Sequence, residues 1–398
     1  MINRVCPLCR SSEAAILGEQ RYCLEPESTL PEFTEIVSCV DCGFVFARSN
    51  HTAEDYKAYY ASQTRYESTV DASGSGEYAL DEQRIRDLVD LLTVSLPADA
   101  SILDIGAAKG GVLKELKLKG FVNLYAMDPS SVCVQSISAQ GIEAHRANLE
   151  DRQWPFDPMQ FDLIILSHVL EHVFDISACL ENAQQRLKEN GRIYIEVPDA
   201  ARYSNEGFPP FYFFDPEHIN HFNLTAFEVL AASHSMKIEK SVYRELNVGE
   251  NQSYPALGAF LKNSNTDAYP NNSSTVSSRN ILRYMIDSQN LLASGENYTK
   301  LRQLAAQNSP VVIWGAGSYC RRLLANTPLA ETNLLGIIDN DIGKQGKKLA
   351  GIEIYPPEQG LALSKKHGAT LVIAIALNSG DLIAEQKQQV SNQNILVL

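Results

Sequence analysis

A glycine-rich turn after a short apolar strand is the first candidate site in this chain of 398 residues. Residues 102–111 read ILDIGAAKGG, so the strand passes through Asp104 into glycines at 106, 110 and 111. Glycine allows a tight turn and a close approach of the backbone to a ligand, and the helix predicted at 112–119 presents free amide donors at its start. A second predicted strand, 124–128, ends in Asp128. A carboxylate at this offset accepts hydrogen bonds from both hydroxyls of a ribose, which predicts an adenosine-type cofactor.

The spacing of these glycines differs from that of a dinucleotide site. The dinucleotide fingerprint is GxGxxG, with a helix dipole directed at a pyrophosphate, whereas this turn is GxxxGG with Asp104 ahead of it. A carboxylate beside the cofactor suits a cation better than a diphosphate. The segment resembles motif I of class I S-adenosylmethionine-dependent methyltransferases, and the resemblance continues through segments 148–150, 161–172 and 187–198. The residues that it assigns to S-adenosylmethionine are Asp104, Gly106, Gly110, Asp128, Glu150, His168 and Tyr66.

Four of the eight cysteines form two CxxC pairs near the N-terminus, namely Cys6 with Cys9 and Cys39 with Cys42. Each pair can bind one ion through two thiolates, and the two pairs together complete a tetrahedral site. The pattern predicts one structural zinc, with no open position for catalysis. Disulfides or a redox motif are the alternatives.

The candidate catalytic residues lie in a loop after the fifth predicted strand, at 211–224, which joins aromatic residues, a carboxylate and two imidazoles. The loop follows the carboxyl end of its strand, and in open α/β sheets ligands bind outside the carboxyl ends of the strands. Histidine has the unperturbed pKa of a general base near neutrality, and an adjacent glutamate can orient it. We therefore predict His218 as base with Glu217 beside it, and the further candidates for the catalytic site are His172, Tyr212 and His221.

The whole layout resembles the nucleotide-sugar C-methyltransferases of deoxysugar pathways. Paired CxxC motifs, a tyrosine-rich segment, a methyltransferase core, an EHxxxF loop and a further α/β region follow in that order. The resemblance implies that His218 removes the proton next to a sugar ketone and that the enolate carbon attacks the methyl group of S-adenosylmethionine. Asp215 stands where members of the family can carry a tyrosine for the enolate.

A second strand and glycine turn follow at 311–320, and a further strand at 335–341 ends in carboxylates. Here GxG lacks its third glycine, because Cys320 occupies that position. The region resembles the C-terminal domain of the same family, which helps to hold the nucleotide-sugar; a structural repeat of the Rossmann half is the alternative.

The sequence thus predicts an α/β protein with a central class I methyltransferase Rossmann-like domain, a small N-terminal zinc-binding module and a second Rossmann-like α/β domain. The predicted limits are 1–55 for the zinc module, 56–260 for the methyltransferase domain, 261–308 for a linker and helix, and 309–398 for the C-terminal substrate-binding domain. The tyrosine-rich segment 55–66 serves either as a lid over the adenosine or as packing between module and domain.

Composition restricts the partners. A formal net charge of −14 without clustered lysine or arginine disfavours nucleic acid, and no apolar run approaches the roughly twenty residues of a membrane span. The N-terminus lacks the apolar core of a signal peptide, which predicts a cytoplasmic protein. The family resemblance implies a small-molecule substrate. Two alternatives stay open: an O- or N-methyltransferase of a sugar or other small metabolite, and a non-catalytic zinc-containing scaffold. The oligomeric state is not predicted.

Overall fold

The computed structural model of the protein describes residues 4–26, 28–62, 79–151, 153–204, 208–249, 252–264, 276–376 and 394–398. Tyr66, one of the predicted cofactor residues, lies outside them. The helices are Ala53–Ser62 (α1), Ala79–Thr93 (α2), Gly111–Leu118 (α3), Ser131–Ala139 (α4), Ile176–Gln185 (α5), Leu224–Ser233 (α6), Val276–Ser294 (α7), Glu296–Ala306 (α8), Ser318–Asn326 (α9) and Pro357–His367 (α10).

The strands form three sheets. Their bounds are Ala14–Arg21 (β1), Phe33–Cys39 (β2), Val45–Arg48 (β3), Ser101–Ile105 (β4), Asn123–Asp128 (β5), Glu143–Arg146 (β6), Phe161–Ser167 (β7), Leu187–Pro198 (β8), Asn220–His221 (β9), Met236–Gly249 (β10), Gln252–Asn263 (β11), Pro310–Trp314 (β12), Asn333–Ile338 (β13), Lys348–Leu349 (β14), Ile352–Tyr355 (β15), Thr370–Ile373 (β16) and Ile395–Val397 (β17).

The central sheet has the order β10-β11-β8-β7-β4-β5-β6. The five strands from β8 to β6 run parallel, and β11 lies antiparallel to both of its neighbours. Helices cover both faces: α2 and α3 pack on one side, and α5 and α6 on the other. The apolar face of α2 is buried at four positions, Ile85, Leu88, Val89 and Leu92. This layering gives a doubly wound fold whose ligand edge lies at the carboxyl ends of β4, β5 and β7.

The N-terminal sheet has the order β1-β2-β3-β9, and its last strand comes from the predicted catalytic loop. Val45 pairs with His221, and Phe46 pairs with Asn220, in antiparallel register. The backbone N–H of Ala47 also donates to the carbonyl of Ile219 at 2.9 Å. The module that carries the cysteines is therefore continuous with the loop that carries His218.

The C-terminal sheet has the order β14-β15-β13-β12-β16-β17, with its central strands parallel. The predicted mixed α/β class and the second Rossmann-like sheet are confirmed. The helical region between the sheets consists of two helices, α7 and α8, separated at Gly295, whereas the sequence predicted a linker and one helix at 261–308. The residue limits of the four domains stay predictions. No helix within the described ranges combines the length and the apolar character that a membrane span requires.

Candidate active site

The turn after β4 is shaped by close contacts that exclude side chains. Gly106 has a φ of +67°, and its N–H donates to the carbonyl of Met127 at 2.7 Å. A Cβ atom on Gly106 would lie 2.8 Å from Cγ2 of Val169. Gly110, the N-cap of α3, has a φ of +80°. Both positions therefore require glycine.

The Asp128 carboxylate is held at the end of β5 beside this turn. Its Oδ2 accepts the backbone N–H of Ala108 at 2.9 Å, and its Oδ1 accepts that of Ser130 at 2.8 Å. Two backbone amides thus fix the orientation of this carboxylate, and its contact with ribose hydroxyls stays a prediction.

Asp104 lies in β4 with only 4% of its surface exposed. Burial, together with the nearby charge of Asp128, raises the pKa of Asp104 to about 8. A cation at this position would favour the ionised form of Asp104. The electrostatics of the turn therefore suit a positively charged ligand.

Glu150 lies in the loop between β6 and β7. Its carboxylate accepts the backbone N–H of Asp175, the N-cap residue of α5. Burial raises the pKa of Glu150. The structure thus ties Glu150 to the start of a helix, and its contact with adenine stays a prediction.

A cluster of histidines and a carboxylate follows β7. His168 has a φ of +55°, and its Nδ1 lies 3.1 Å from Oε1 of Glu171. The next residue, Val169, is the one that contacts Gly106, so the cluster adjoins the glycine turn. A non-glycine residue with this φ is strained, and such strain is commonest at functional sites.

Glu171 is the carboxylate that faces the histidines. It is 1% exposed, and one ligand atom from each of Glu171, His172 and His218 lies within 4.8 Å of the others. The His172 and His218 rings are 4.8 Å apart between centroids. Burial acts to raise the pKa of Glu171, but the hydrogen bond from His168 and the charges of His172 and His218 lower it below its ordinary value. Glu171 is therefore suited to hold a protonated imidazole.

Glu217 faces a different element. Its Oε1 accepts the hydroxyl of Tyr59 in α1 at 2.9 Å, and its backbone carbonyl lies 3.1 Å from Nδ1 of His172. The Tyr60 hydroxyl lies 3.0 Å from the same nitrogen. Glu217 therefore joins the tyrosine-rich segment to the site, and its action on His218 stays a prediction.

His221 and Tyr212 are placed in different surroundings. His221 is 1% exposed, its Nδ1 lies 3.1 Å from the Tyr203 hydroxyl, and burial lowers its pKa to about 3. It is consequently neutral near pH 7. Tyr212 is half-buried and stacks on Phe208, with ring centroids 4.5 Å apart. Its ring lies 6.1 Å from that of Tyr254, which lies 6.1 Å from the His168 ring.

The C-terminal sheet presents its own glycine turn to this loop. Ser318 donates to the carboxylate of Asp215, and Arg322 donates to the carbonyl of Phe214 at 2.8 Å. Gly315, at the end of β12, has a φ of +106°, and a Cβ atom there would lie 2.8 Å from the Ala374 carbonyl oxygen. The turn is thus as closely packed as its counterpart in the central sheet.

The four predicted metal cysteines converge. Sγ of Cys6 lies 3.5 Å from Sγ of Cys42, that of Cys9 lies 3.4 Å from that of Cys39, and all four sulfurs lie within 4.8 Å of one another. Zinc–sulfur bonds of about 2.3 Å in a tetrahedron place sulfurs about 3.8 Å apart. The arrangement fits a metal ion bound by four thiolates.

Comparison with known families identifies the central part of the chain. Residues 78–238 match a family described as a methyltransferase domain. This region is a methyltransferase domain. It contains the glycine turn, Asp128, the histidine cluster and the EH loop.

Other matches are partial. A redox-sensing transcriptional repressor, Rex, from Pelotomaculum thermopropionicum is 31% identical over 90 residues, which is 22% of this chain and 42% of Rex, so the chain spans less than half of that relative. A methyltransferase of Leishmania major gives a TM-score of 0.40 at 18% identity, covering 53% of this chain and 85% of that one. Magnesium protoporphyrin IX methyltransferase of Synechocystis gives a TM-score of 0.38 at 13% identity, and the match covers 53% of this chain and 99% of that one.

Three buried residues of the site escaped prediction from sequence. Glu171 could have been found, because it forms with His172 the same EH pair that drew attention to Glu217 and His218. Glu196 accepts hydrogen bonds from the hydroxyl of Tyr194 and the guanidinium group of Arg244, and its Oε1 lies 3.7 Å from Nε2 of His168. No comparable motif in the sequence marks Glu196. The third residue, Arg4, has no local motif either.

Proposed function

We propose that this methyltransferase transfers the methyl group of S-adenosylmethionine to a carbon of a nucleotide-linked keto-sugar, with His218 as general base. The observation that carries the proposal is the group formed by Glu171, His172 and His218 beside the cofactor turn. It combines a proton acceptor with a buried carboxylate of lowered pKa that can hold the resulting imidazolium.

The cofactor would bind along the carboxyl ends of β4 and β5. Asp128 would accept hydrogen bonds from the ribose hydroxyls. Gly106, which has no side chain, would let the cofactor approach the backbone of the turn closely. The buried pair of Asp104 and Asp128 favours positive charge, which the sulfonium and ammonium groups of S-adenosylmethionine supply. These residues bind and orient the cofactor and do not themselves react.

In the proposed reaction, His218 takes the proton from the carbon next to the ketone, and the electron pair of that C–H bond forms an enolate. The enolate carbon then attacks the methyl carbon, and the bond from that carbon to sulfur breaks. The products are a C-methylated sugar and S-adenosylhomocysteine. Glu171 stabilises protonated His218, while Tyr212 and its aromatic neighbours Phe208 and Tyr254 restrict water around the site.

The nucleotide part of the substrate would bind the C-terminal turn. The backbone amides at the start of α9 suit phosphate oxygens, and Lys344 supplies a cation 3.2 Å from Asp339. Ser318 and Arg322 of α9 contact the loop that carries His218, so a diphosphate bound there would lie next to the reacting sugar.

Substitution of His218 tests the base. General-base catalysis contributes roughly 10² to 10⁴ in rate, so His218→Ala should lose about that factor in turnover while the Kd for S-adenosylmethionine stays unchanged. His221→Ala is the matched control, since His221 is neutral and bound to Tyr203. Labelled S-adenosylmethionine with a panel of nucleotide-linked keto- and hydroxy-sugars identifies the acceptor.

Solvent deuterium should enter the carbon next to the ketone with the parent enzyme and not with His218→Ala. Methyl transfer to hydroxy-sugars without such exchange would assign oxygen as the acceptor. No transfer to any acceptor would favour the scaffold alternative. Parental turnover by His218→Ala would remove His218 from the mechanism.

We further propose that Cys6, Cys9, Cys39 and Cys42 hold one structural zinc. The convergence of four thiols supports it, and thiolate ligation requires a reducing compartment such as the cytoplasm. Purified protein should contain about one zinc per chain, and Cys39→Ser should lower both the zinc content and the melting temperature. The control is Cys179→Ser, because Cys179 is buried but is not one of the four converging cysteines, so this variant separates loss of metal from loss of packing.

A further inference from the structure

Arg4 extends from the N-terminal module into the methyltransferase domain. The residue is 8% exposed, and its guanidinium group contacts chain segments that lie far apart in sequence. The acceptors of its hydrogen bonds are the carbonyls of Ala47 at 3.3 Å, Ile219 at 3.1 Å, Val173 at 3.3 Å and Phe174 at 2.8 Å, and Oδ1 of Asn220 at 2.9 Å.

These acceptors belong to the two segments that carry the proposed catalytic residues. Val173 and Phe174 directly follow His172, and Ile219 and Asn220 directly follow His218. The guanidinium group also lies 4.7 Å from the centre of the Phe174 ring. Arg4 therefore joins the main chains on which His172 and His218 stand.

Asn220 completes the connection from the opposite side. Its Nδ2 donates to the carbonyls of Leu170 at 2.8 Å and Val173 at 2.7 Å, while its Oδ1 accepts from Arg4. The backbone N–H groups of Ile219 and Asn220 both donate to the carbonyl of Glu171, at 2.9 and 3.1 Å. Residues 219–220 are thus fixed against the segment that contains Glu171 and His172.

We propose that Arg4 is a positioning residue for His218, through which the cysteine module sets the geometry of the catalytic histidines. The inference rests on the proposed function for its activity readout only. Arginine suits this place because its planar group has five N–H donors in a fixed fork. Lysine has three donors on a single nitrogen and cannot span carbonyls on both sides of the site.

The test compares Arg4→Lys with the parent. A displacement of about 1 Å at a reacting group can cost roughly 10²-fold in rate, so kcat should fall about ten- to a hundredfold with little change in KM. The pH profile of kcat should shift as well, because the distance from His218 to Glu171 changes. Zinc content and the Kd for S-adenosylmethionine should stay at parental values.

Arg10→Lys is the matched control. Arg10 lies in the same module and directly follows Cys9, but it forms an exposed ion pair with Asp175. This variant should keep the parental kcat and pH profile. Asn220→Ser removes the side-chain bonds of Asn220 to Arg4, Leu170 and Val173 and leaves Arg4 itself in place, and it decides the question if Arg4→Lys does not fold.

Hydrogen exchange gives a readout that does not require methyl transfer. The amides of Ile219 and Asn220 should exchange faster in Arg4→Lys and Asn220→Ser than in the parent and in Arg10→Lys. Unchanged exchange, or a fall in kcat only in step with loss of zinc, would overturn the proposal. If the parent methylates no acceptor, the proposed function fails while exchange still decides the role of Arg4.

Discussion

The protein contains two glycine turns that share one backbone arrangement. In the central sheet the N–H of Gly106 donates to the carbonyl that precedes Asp128, and in the C-terminal sheet the N–H of Gly315 donates to the carbonyl that precedes Asp339. Asp339 accepts the N–H of Ala316 at 2.8 Å, as Asp128 accepts that of Ala108 at 2.9 Å. The arrangement of the carboxylate is therefore a property of the Rossmann corner, not of one ligand.

The difference between the turns lies in the charges around them. Two residues before its glycine, the central turn has Asp104, whereas the C-terminal turn has Ile313. The C-terminal turn instead has Lys344, 3.2 Å from Asp339. The buried acidic groups of the first turn thus favour a cationic ligand, whereas the second turn has a lysine that forms ion pairs with Asp339 and Asp341, although the two backbones are alike.

Replacing Asp128 or Asp339 by alanine should show which ligand each turn binds. Asp128→Ala forfeits charge-assisted hydrogen bonds worth roughly 1.5–3 kcal/mol, so the Kd for S-adenosylmethionine should rise about ten- to a hundredfold. Asp339→Ala should leave that Kd unchanged and raise the KM for the nucleotide-linked acceptor. Calorimetry and steady-state kinetics measure both. Equal effects of both variants on S-adenosylmethionine would contradict the assignment.

The pH dependence of cofactor binding should be specific to the central turn. Because the pKa of Asp104 is raised to about 8, the cofactor-free protein holds a proton there that a bound cation would release. Affinity for S-adenosylmethionine should therefore increase as pH rises towards 8. Calorimetry in buffers of different ionisation enthalpy should detect the released proton. Asp104→Asn should abolish this release, and the difference from the parent removes any titration of the cofactor itself.

The raised pKa of Asp104 also predicts how the stability of the cofactor-free protein depends on pH. An unfolded aspartate ionises near pH 4, so between about pH 4 and pH 8 the folded state binds more protons at Asp104 than the unfolded state does. The contribution of this residue to stability is present at low pH and is lost as pH rises through that window. Melting temperatures of the parent and Asp104→Asn, measured against pH, should diverge in this sense.

The smallest effect is expected at Lys344. Its side chain is 30% exposed, so solvent screens its charge, and its loss is worth roughly 0.5–1 kcal/mol. Lys344→Ala should weaken the binding of a nucleoside diphosphate about two- to fivefold, more at low salt than at high salt. Lys348→Ala, on neighbouring β14, is the control. An unchanged Kd would leave the amides of α9 as the main phosphate contact.

The sequence predicted well those features that short patterns encode. The strand, turn and helix around Gly106 and the strand that ends in Asp128 each depend on residues that are close together in the sequence. Convergence of the four cysteines followed from their pairing. In each case a local spacing contains the information that the fold uses.

The features that the sequence did not predict depend on tertiary contacts. The action of Glu217 on the adjacent His218 stays a prediction, and the sequence did not show that its carboxylate accepts a hydrogen bond from Tyr59 or that Glu171 faces the histidines. Adjacency along a loop does not specify which way a side chain turns. Arg4 is separated from Ile219 by 215 positions, and such a contact has no periodicity from which to predict it.

The two-residue strand β9 has a consequence for the order of folding during synthesis. The ribosome completes β1, β2 and β3 long before Asn220 and His221 emerge, so the growing chain carries β3 as an exposed edge for much of translation. Unpaired edges invite pairing with other chains. We therefore expect the sheet of the N-terminal module to be completed only after Asn220 and His221 have been synthesised and pair with β3.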